Sequence, residues 1–134
     1  MQIPTDAFVA VVDGEKLNLF RNTSEDGTPT LIAMSVPDVD SSNKGSGARH
    51  HSSAANPDDS QQGEDGFAAG VADMLNAQVL AGHIGHLIVI AAPRTLGEMR
   101  KHYHKALSAK LVGEVAKDLT GHSLNEIEKA VANA

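Results

Sequence analysis

The chain has 134 residues, 41% of them apolar, a formal charge of −6 and no cysteine, which fits one domain built on a single core. Without cysteine there is neither a disulfide framework nor a thiolate metal site, and one Tyr with three Phe leave little aromatic surface on which bases could stack. The acidic balance argues against a dedicated DNA-binding protein, yet residues 94–134 carry seven Lys/Arg against five Asp/Glu, where residues 1–93 carry four against twelve, so an anionic partner would be met by the C-terminal third.

The start of the chain lacks the basic segment of a secretion signal. Its first apolar run is far shorter than the roughly 20 residues that span a bilayer, so the expectation is a cytoplasmic protein without a membrane partner. That run, Ala7-Phe-Val-Ala-Val-Val12, is bounded by turn residues and reads as a central strand buried on both faces. Asp13-Gly14 predicts a hairpin with a type I′ turn, returning along Glu15 to Arg21 with Leu17 and Leu19 on one face. Asn22 to Thr28 is rich in turn residues, and Pro29 precedes a third strand, Thr30 to Val36.

From Pro37 to Glu64 the only large apolar residue is Val39, too little to offset the entropy of ordering, so residues 37–64 read as a flexible insertion in a single domain covering 1–134. Phe67, Val71, Met74 and Leu75 recur at helical spacing across Asp65 to Ala81, and Gly82 is placed to end that helix. Leu87-Ile-Val-Ile-Ala-Ala92 is a second buried strand, stopped by Pro93. Thr95-Leu-Gly-Glu98 has the form of a capping box, and Leu96, Met99, Tyr103 and Ala106 continue one helical face. Lys110 to Lys117 suits either a strand or a continuing helix; Gly113 favours the strand. Ser123-Leu-Asn-Glu126 is a second capping box, opening a helix with Leu124, Ile127 and Val131 inward. The order βββ-loop-αβαβα implies an α/β fold with a mixed five-stranded sheet, its first, fourth and fifth strands parallel and the second and third added antiparallel at one side. This is the layout of a ribonuclease-H-like domain.

Three separated segments, Val11-Val-Asp-Gly14, Ala92-Pro-Arg-Thr-Leu-Gly-Glu-Met-Arg100 and Val115-Ala-Lys-Asp-Leu-Thr120, resemble the bacterial host attachment protein family. The resemblance rests on Asp13, Gly14, Pro93, Arg94, Leu96, Gly97, Arg100, Lys117, Asp118, Leu119 and Thr120. That family is in turn similar to the middle domain of eukaryotic-type peptide-chain release factors and Pelota, where the loop after the third strand carries Gly-Gly-Gln. Here that loop holds Gly45-Ser-Gly47 and Gln61-Gln-Gly63 instead. The resemblance implies a binding or adaptor domain without the peptide-release chemistry, and alternatively a ribosome- or RNA-associated factor.

No catalytic residue, cofactor or metal is assigned. Asp13 invites comparison with the first-strand carboxylate of two-metal nucleases, but Asp-Gly is itself turn chemistry. Ala91-Ala-Pro93 stands where a second acid would be needed, and only Asp73 and Asp118 remain to recruit. The seven His are not spaced as ligands: His102 and His104 fall on different sides of a helix, His50-His51 lies in the insertion, and His83-x-x-His86 straddles a turn. No serine stands in a nucleophile elbow, and there is no phosphate-binding glycine loop. A degenerate hydrolase or nuclease is therefore the third reading. The sharper feature is basic. Arg100, Lys101, His104 and Lys105 share the helix face opposite Leu96 and Met99, with Arg94 just before, and are candidates for contact with phosphate or RNA; the alternative is an ordinary solvated face. The partner expected is a protein, or ribosome and RNA.

Overall fold

The computed structural model describes residues 3–26, 28–39 and 59–134. One mixed sheet of five strands runs in the order β3-β2-β1-β4-β5, with β1 at Phe8–Val12, β2 at Leu17–Asn22, β3 at Leu31–Met34, β4 at Leu87–Ala91 and β5 at Leu111–Ala116. β1 pairs parallel with β4, and β4 with β5, while β2 and β3 add antiparallel on the far side of β1. This is the ribonuclease-H-like arrangement expected from the order of elements.

The two continuous apolar runs are continuous because both faces of their strands are covered. Ala10, Val12, Leu87, Val89 and Ala91 point into one core with Val71, Leu75, Leu96, Met99 and Leu107. Val9, Val11, Ile88 and Ile90 point into the other, with Phe20, Leu31, Ile127 and Val131. Helices α1 (Asp59–Leu80), α2 (Pro93–Arg100) and α3 (Lys105–Lys110) thus pack on one side of the sheet and α4 (Leu124–Ala132) on the other. Burying each of these Leu, Ile, Val or Met side chains contributes about 1.5–3 kcal/mol.

Four local expectations are corrected. The hairpin is not type I′: among the described residues only Asp6 and Gly82 have positive φ. The Asp13 carboxylate itself builds the turn, its Oδ1 accepting from the amides of Glu15 at 2.7 Å and Lys16 at 2.5 Å, so the side chain replaces the left-handed backbone. β3 covers only Leu31–Met34 of the expected Thr30 to Val36, its last residue opposite Leu19, although β2 itself continues to Leu17. α1 begins at Asp59, six residues before the expected Asp65, and ends where Gly82 (φ 82°) and His83 donate to the carbonyls of Val79 and Gln78, a Schellman closure. The remainder of the expected insertion, residues 40–58, lies outside the described residues.

The fourth correction divides the helix expected from Thr95 through Ala106. α2 starts at Pro93 with Ala92 as a cap that makes no side-chain bond, because Pro at the first helical position has no orphan N–H and a preset φ; Thr95 lies inside the helix and is no cap. The chain then turns at 101–104. Asn76 of α1 holds that turn from both sides, donating to the His102 carbonyl at 2.8 Å and accepting from the His104 amide at 2.9 Å. His104 starts α3, its Nδ1 accepting from the Ala106 amide. The second capping box forms as expected, Ser123 and Glu126 each bonding the other's backbone N–H.

Candidate functional site

In a sheet with helices on both faces, the loops after the parallel strands emerge on one rim, and ligand sites favour that rim. Here the loop after β1 supplies Asp13, Gly14 and Glu15; the turn into α2 supplies Ala92, Arg94 and Thr95; the loop after β5 supplies Asp118; and Glu64 comes from α1. Together they line an open cleft of about 330 Å³. The three segments that carry the resemblance, far apart in sequence, therefore converge on this rim.

Asp13 ties the rim together. Its Oδ2 accepts from the Thr120 hydroxyl at 2.8 Å, and the same hydroxyl lies 3.0 Å from Asp118 Oδ1. One hydroxyl proton serves one carboxylate at a time, so the two acids share a single donor. Burial pushes the Asp13 carboxyl upward. The Glu15 amide, the Thr120 hydroxyl, the Lys16 amide and the Lys16 charge outweigh it and hold the group below the usual carboxylate range. Gly14 is required by contact rather than by φ: a Cβ there would stand 2.6 Å from Glu64 Cγ, so the Glu64 side chain lies directly on the hairpin.

Four carboxylates and one guanidinium line the cleft. Neither a histidine nor a serine lies among the lining residues, and among the described residues no three His, Cys, Asp or Glu are grouped to hold a metal ion. The arrangement provides fixed charges and turn geometry. His50-His51 and Gly45-Ser-Gly47 lie outside the described residues. His83 Nδ1 meets Gln78, and His102 meets Glu98.

The basic candidates are not one face. Arg94 stands at the first turn of α2, in the cleft, and Arg100 at its last, about 9 Å along the axis; His104 and Lys105 belong to α3. Arg100 is clamped by Glu114 of β5, Nη2 at 2.7 Å and Nε at 3.1 Å from the same oxygen, and that pairing raises the guanidinium pKa further. Tyr103 donates to the other Glu114 oxygen at 3.2 Å; burial first, then the Glu114 charge, pushes its phenol well above the ordinary value. Lys101 and His102 both meet Glu98. Burial would raise the Glu98 carboxyl, and these two donors bring it below its usual range. Arg94 and Lys105 make no ion pair among the described residues. Lys117 is exposed just past β5, Leu96 and Leu119 are core residues, and Gly97 has open space around it.

Glu114, Glu64 and Asn76 were not singled out from the sequence. Glu114 had a signal: a lone acid inside Leu111-Val-Gly-Glu-Val115, on a strand adjoining a basic helix. Among the described residues no helix is long and apolar enough to cross a membrane.

A family model described as bacterial archaeo-eukaryotic release factor family 12 matches residues 6–131, a span that, among the described residues, contains all five strands, α1 to α3, α4 but for its last residue, and every residue of the cleft. No curated protein matches the chain.

Proposed function

The chain belongs to bacterial archaeo-eukaryotic release factor family 12, and from that premise we propose that it is a ribosome- or RNA-associated factor that acts by binding and does not release peptides. The observation that carries this reading is the family match over nearly the whole domain. The absence of Gly-Gly-Gln anywhere in the sequence supports the non-hydrolytic half. Phosphate contact falls to the cations without ion pairs, Arg94 and Lys105, with Arg100, Lys101 and His104 as a second rank whose charge or ring is already engaged.

The test is co-sedimentation with ribosomes and with total RNA across a salt series, comparing wild type with Arg94→Glu/Lys105→Glu. Binding that falls steeply with salt and is lost in the variant is the expected result, because each phosphate contact adds to the salt slope. No binding at low salt refutes it. A second reading, the adaptor for a protein partner implied by the host attachment resemblance, is favoured by the pairing of Arg100 with Glu114 and Lys101 with Glu98, which lowers the free positive charge. It requires partner capture that is indifferent to salt.

A further inference from the structure

Lys105, one of the two cations to which phosphate contact falls, is exposed and is the first residue of α3. A helix of six residues does not hold itself in place, because the cost of its nucleus is spread over too few bonds. Its neighbours hold it instead. Leu107 is fully buried in the core shared with Val71 and Leu75 of α1, and Tyr103, just before the helix, donates to Glu114. These anchors fix side chains on either side of Lys105, and neither fixes the backbone where the helix starts.

Asn76 of α1 does that. Its Nδ2 donates to the His102 carbonyl at 2.8 Å and its Oδ1 accepts from the His104 amide at 2.9 Å. Both ends of the side-chain amide are used, and a flipped amide would set donor against donor and acceptor against acceptor. The His104 ring passes the constraint on, its Nδ1 accepting from the Ala106 amide at 2.9 Å. Lys105 lies between those two bonds. Arg94 is held independently, since Pro93 sets the first turn of α2 and Leu96 and Met99 are buried beneath it. Yet α1 reaches that cation as well: Glu64 lines the cleft with Arg94, about 18 Å before Asn76 along the axis of the same helix. One helix therefore spans both contacts, and Asn76 is where it meets the second.

We propose that Asn76 is a positioning residue for the RNA contact: by holding the turn at residues 102–104 it sets where Lys105 stands relative to Arg94. The inference rests on the ribosome- or RNA-binding reading and adds to it a residue that carries no charge and touches no phosphate. Without Asn76, two backbone groups of the turn lose their bonds to α1 and the start of α3 is free to move. Ordering Lys105 against a phosphate then costs entropy that the wild type has already met in folding, and the contact is no longer made. Positioning confines this loss to Lys105. A purely structural asparagine would instead weaken the fold and both contacts together.

The test is co-sedimentation with ribosomes and total RNA across a salt series for the wild type, Asn76→Ala, Lys105→Ala and Arg94→Ala, and for Asn76→Ala paired with each of the other two. Circular dichroism checks the fold. Each phosphate contact adds about 0.7–0.9 to the slope of log affinity against log salt. Asn76→Ala and Lys105→Ala should each lower the slope by one such step, and the pair by no more than either alone. Arg94→Ala should lower it by a further step in both backgrounds, and the Ala106 amide should exchange faster in Asn76→Ala. Asn76→Ser, whose side chain is too short to span both backbone groups, takes the place of Asn76→Ala with the same expectations if the alanine variant does not fold. Losses from Asn76→Ala and Lys105→Ala that add in full overturn the proposal, as does an Asn76→Ala protein that binds like the wild type or has lost the Arg94 step as well. A wild type that binds neither ribosomes nor RNA at low salt refutes the functional reading itself, whereas additive losses in a wild type that binds refute the role of Asn76 alone.

Discussion

Gly14→Ala should change sign with its surroundings. The φ of Gly14 is not positive, so the backbone itself accepts alanine, and a Gly→Ala change at such a position stabilises by about 0.4–1 kcal/mol through the unfolded chain. In the wild type, however, the new Cβ would stand 2.6 Å from Glu64 Cγ and 2.7 Å from Cδ, well inside van der Waals contact. Overpacking of this kind costs about 1–3 kcal/mol, and the lower part of that range applies because Glu64 can rotate outward into the open cleft. Gly14→Ala alone should therefore destabilise by up to about 1.5 kcal/mol after the two effects are combined. In a Glu64→Ala background the same change should stabilise. Urea unfolding of the four proteins closes a double-mutant cycle with a coupling of about 1–2 kcal/mol, the cost of the clash alone. If Gly14→Ala has the same sign in both backgrounds, the close approach of Glu64 to the hairpin is not what makes glycine necessary there.

Asn22 is the one fully buried polar side chain among the described residues, and it donates to the Ile3 and Pro4 carbonyls and accepts from the Ser24 and Thr30 amides; Asn22→Ala should cost about 2–4 kcal/mol in the same assay, since several partners lose their only protein bond. Asp13→Asn keeps an oxygen for the Glu15 and Lys16 amides but loses the charge. Because the Asp13 carboxyl is held below its unfolded value of 3.8, its contribution is full above that pH and is lost as pH falls through the folded value; the stability gap between wild type and variant should be widest at neutral pH and should close in acid, followed by the urea midpoint against pH. Glu114→Gln should release Arg100 from its fork and, on the RNA-binding reading, raise low-salt affinity and steepen its salt dependence; unchanged binding would remove Arg100 from the contact surface.

The legibility of this fold depended on how far each signal had to reach. Strands buried on both faces announce themselves, since Ala7–Val12 and Leu87–Ala92 have no polar alternation to confuse, and Ser123 with Glu126 makes a cap from groups three residues apart. Signals that depend on a distant partner were read wrongly or not at all. Thr95-Leu-Gly-Glu98 has the letters of a capping box, but Pro93 two residues earlier fixes the first turn and leaves Thr95 nothing to cap. The break between α2 and α3 is held by Asn76, about a quarter of a hundred residues upstream, and no local pattern distinguishes an Asn that bridges a turn from one on a solvated helix face.

The site shows the same division, with a consequence for how the proposed function is tested. Motif residues from three segments meet on one rim because the parallel strands β1, β4 and β5 all deliver their loops there, which topology alone foretells. A helical wheel, by contrast, collects Arg100, Lys101 and Lys105 onto one face without seeing β5. Glu114 lies opposite Val89 in the sheet register and reaches Arg100 with two oxygens, so the most forked cation of the cluster is already satisfied and would have to exchange one carboxylate for a phosphate. Such an exchange gains little, since the Arg–carboxylate fork is itself a charge-assisted pair. Lys101 faces the same competition from Glu98, while Arg94, although it shares its cleft with four carboxylates, and Lys105 make no ion pair among the described residues, and a charge reversal confined to Lys101 would change a surface ion pair worth about 0–1 kcal/mol before it changed any contact with RNA. Arg94 and Lys105 are therefore where an electrostatic partner would be felt first.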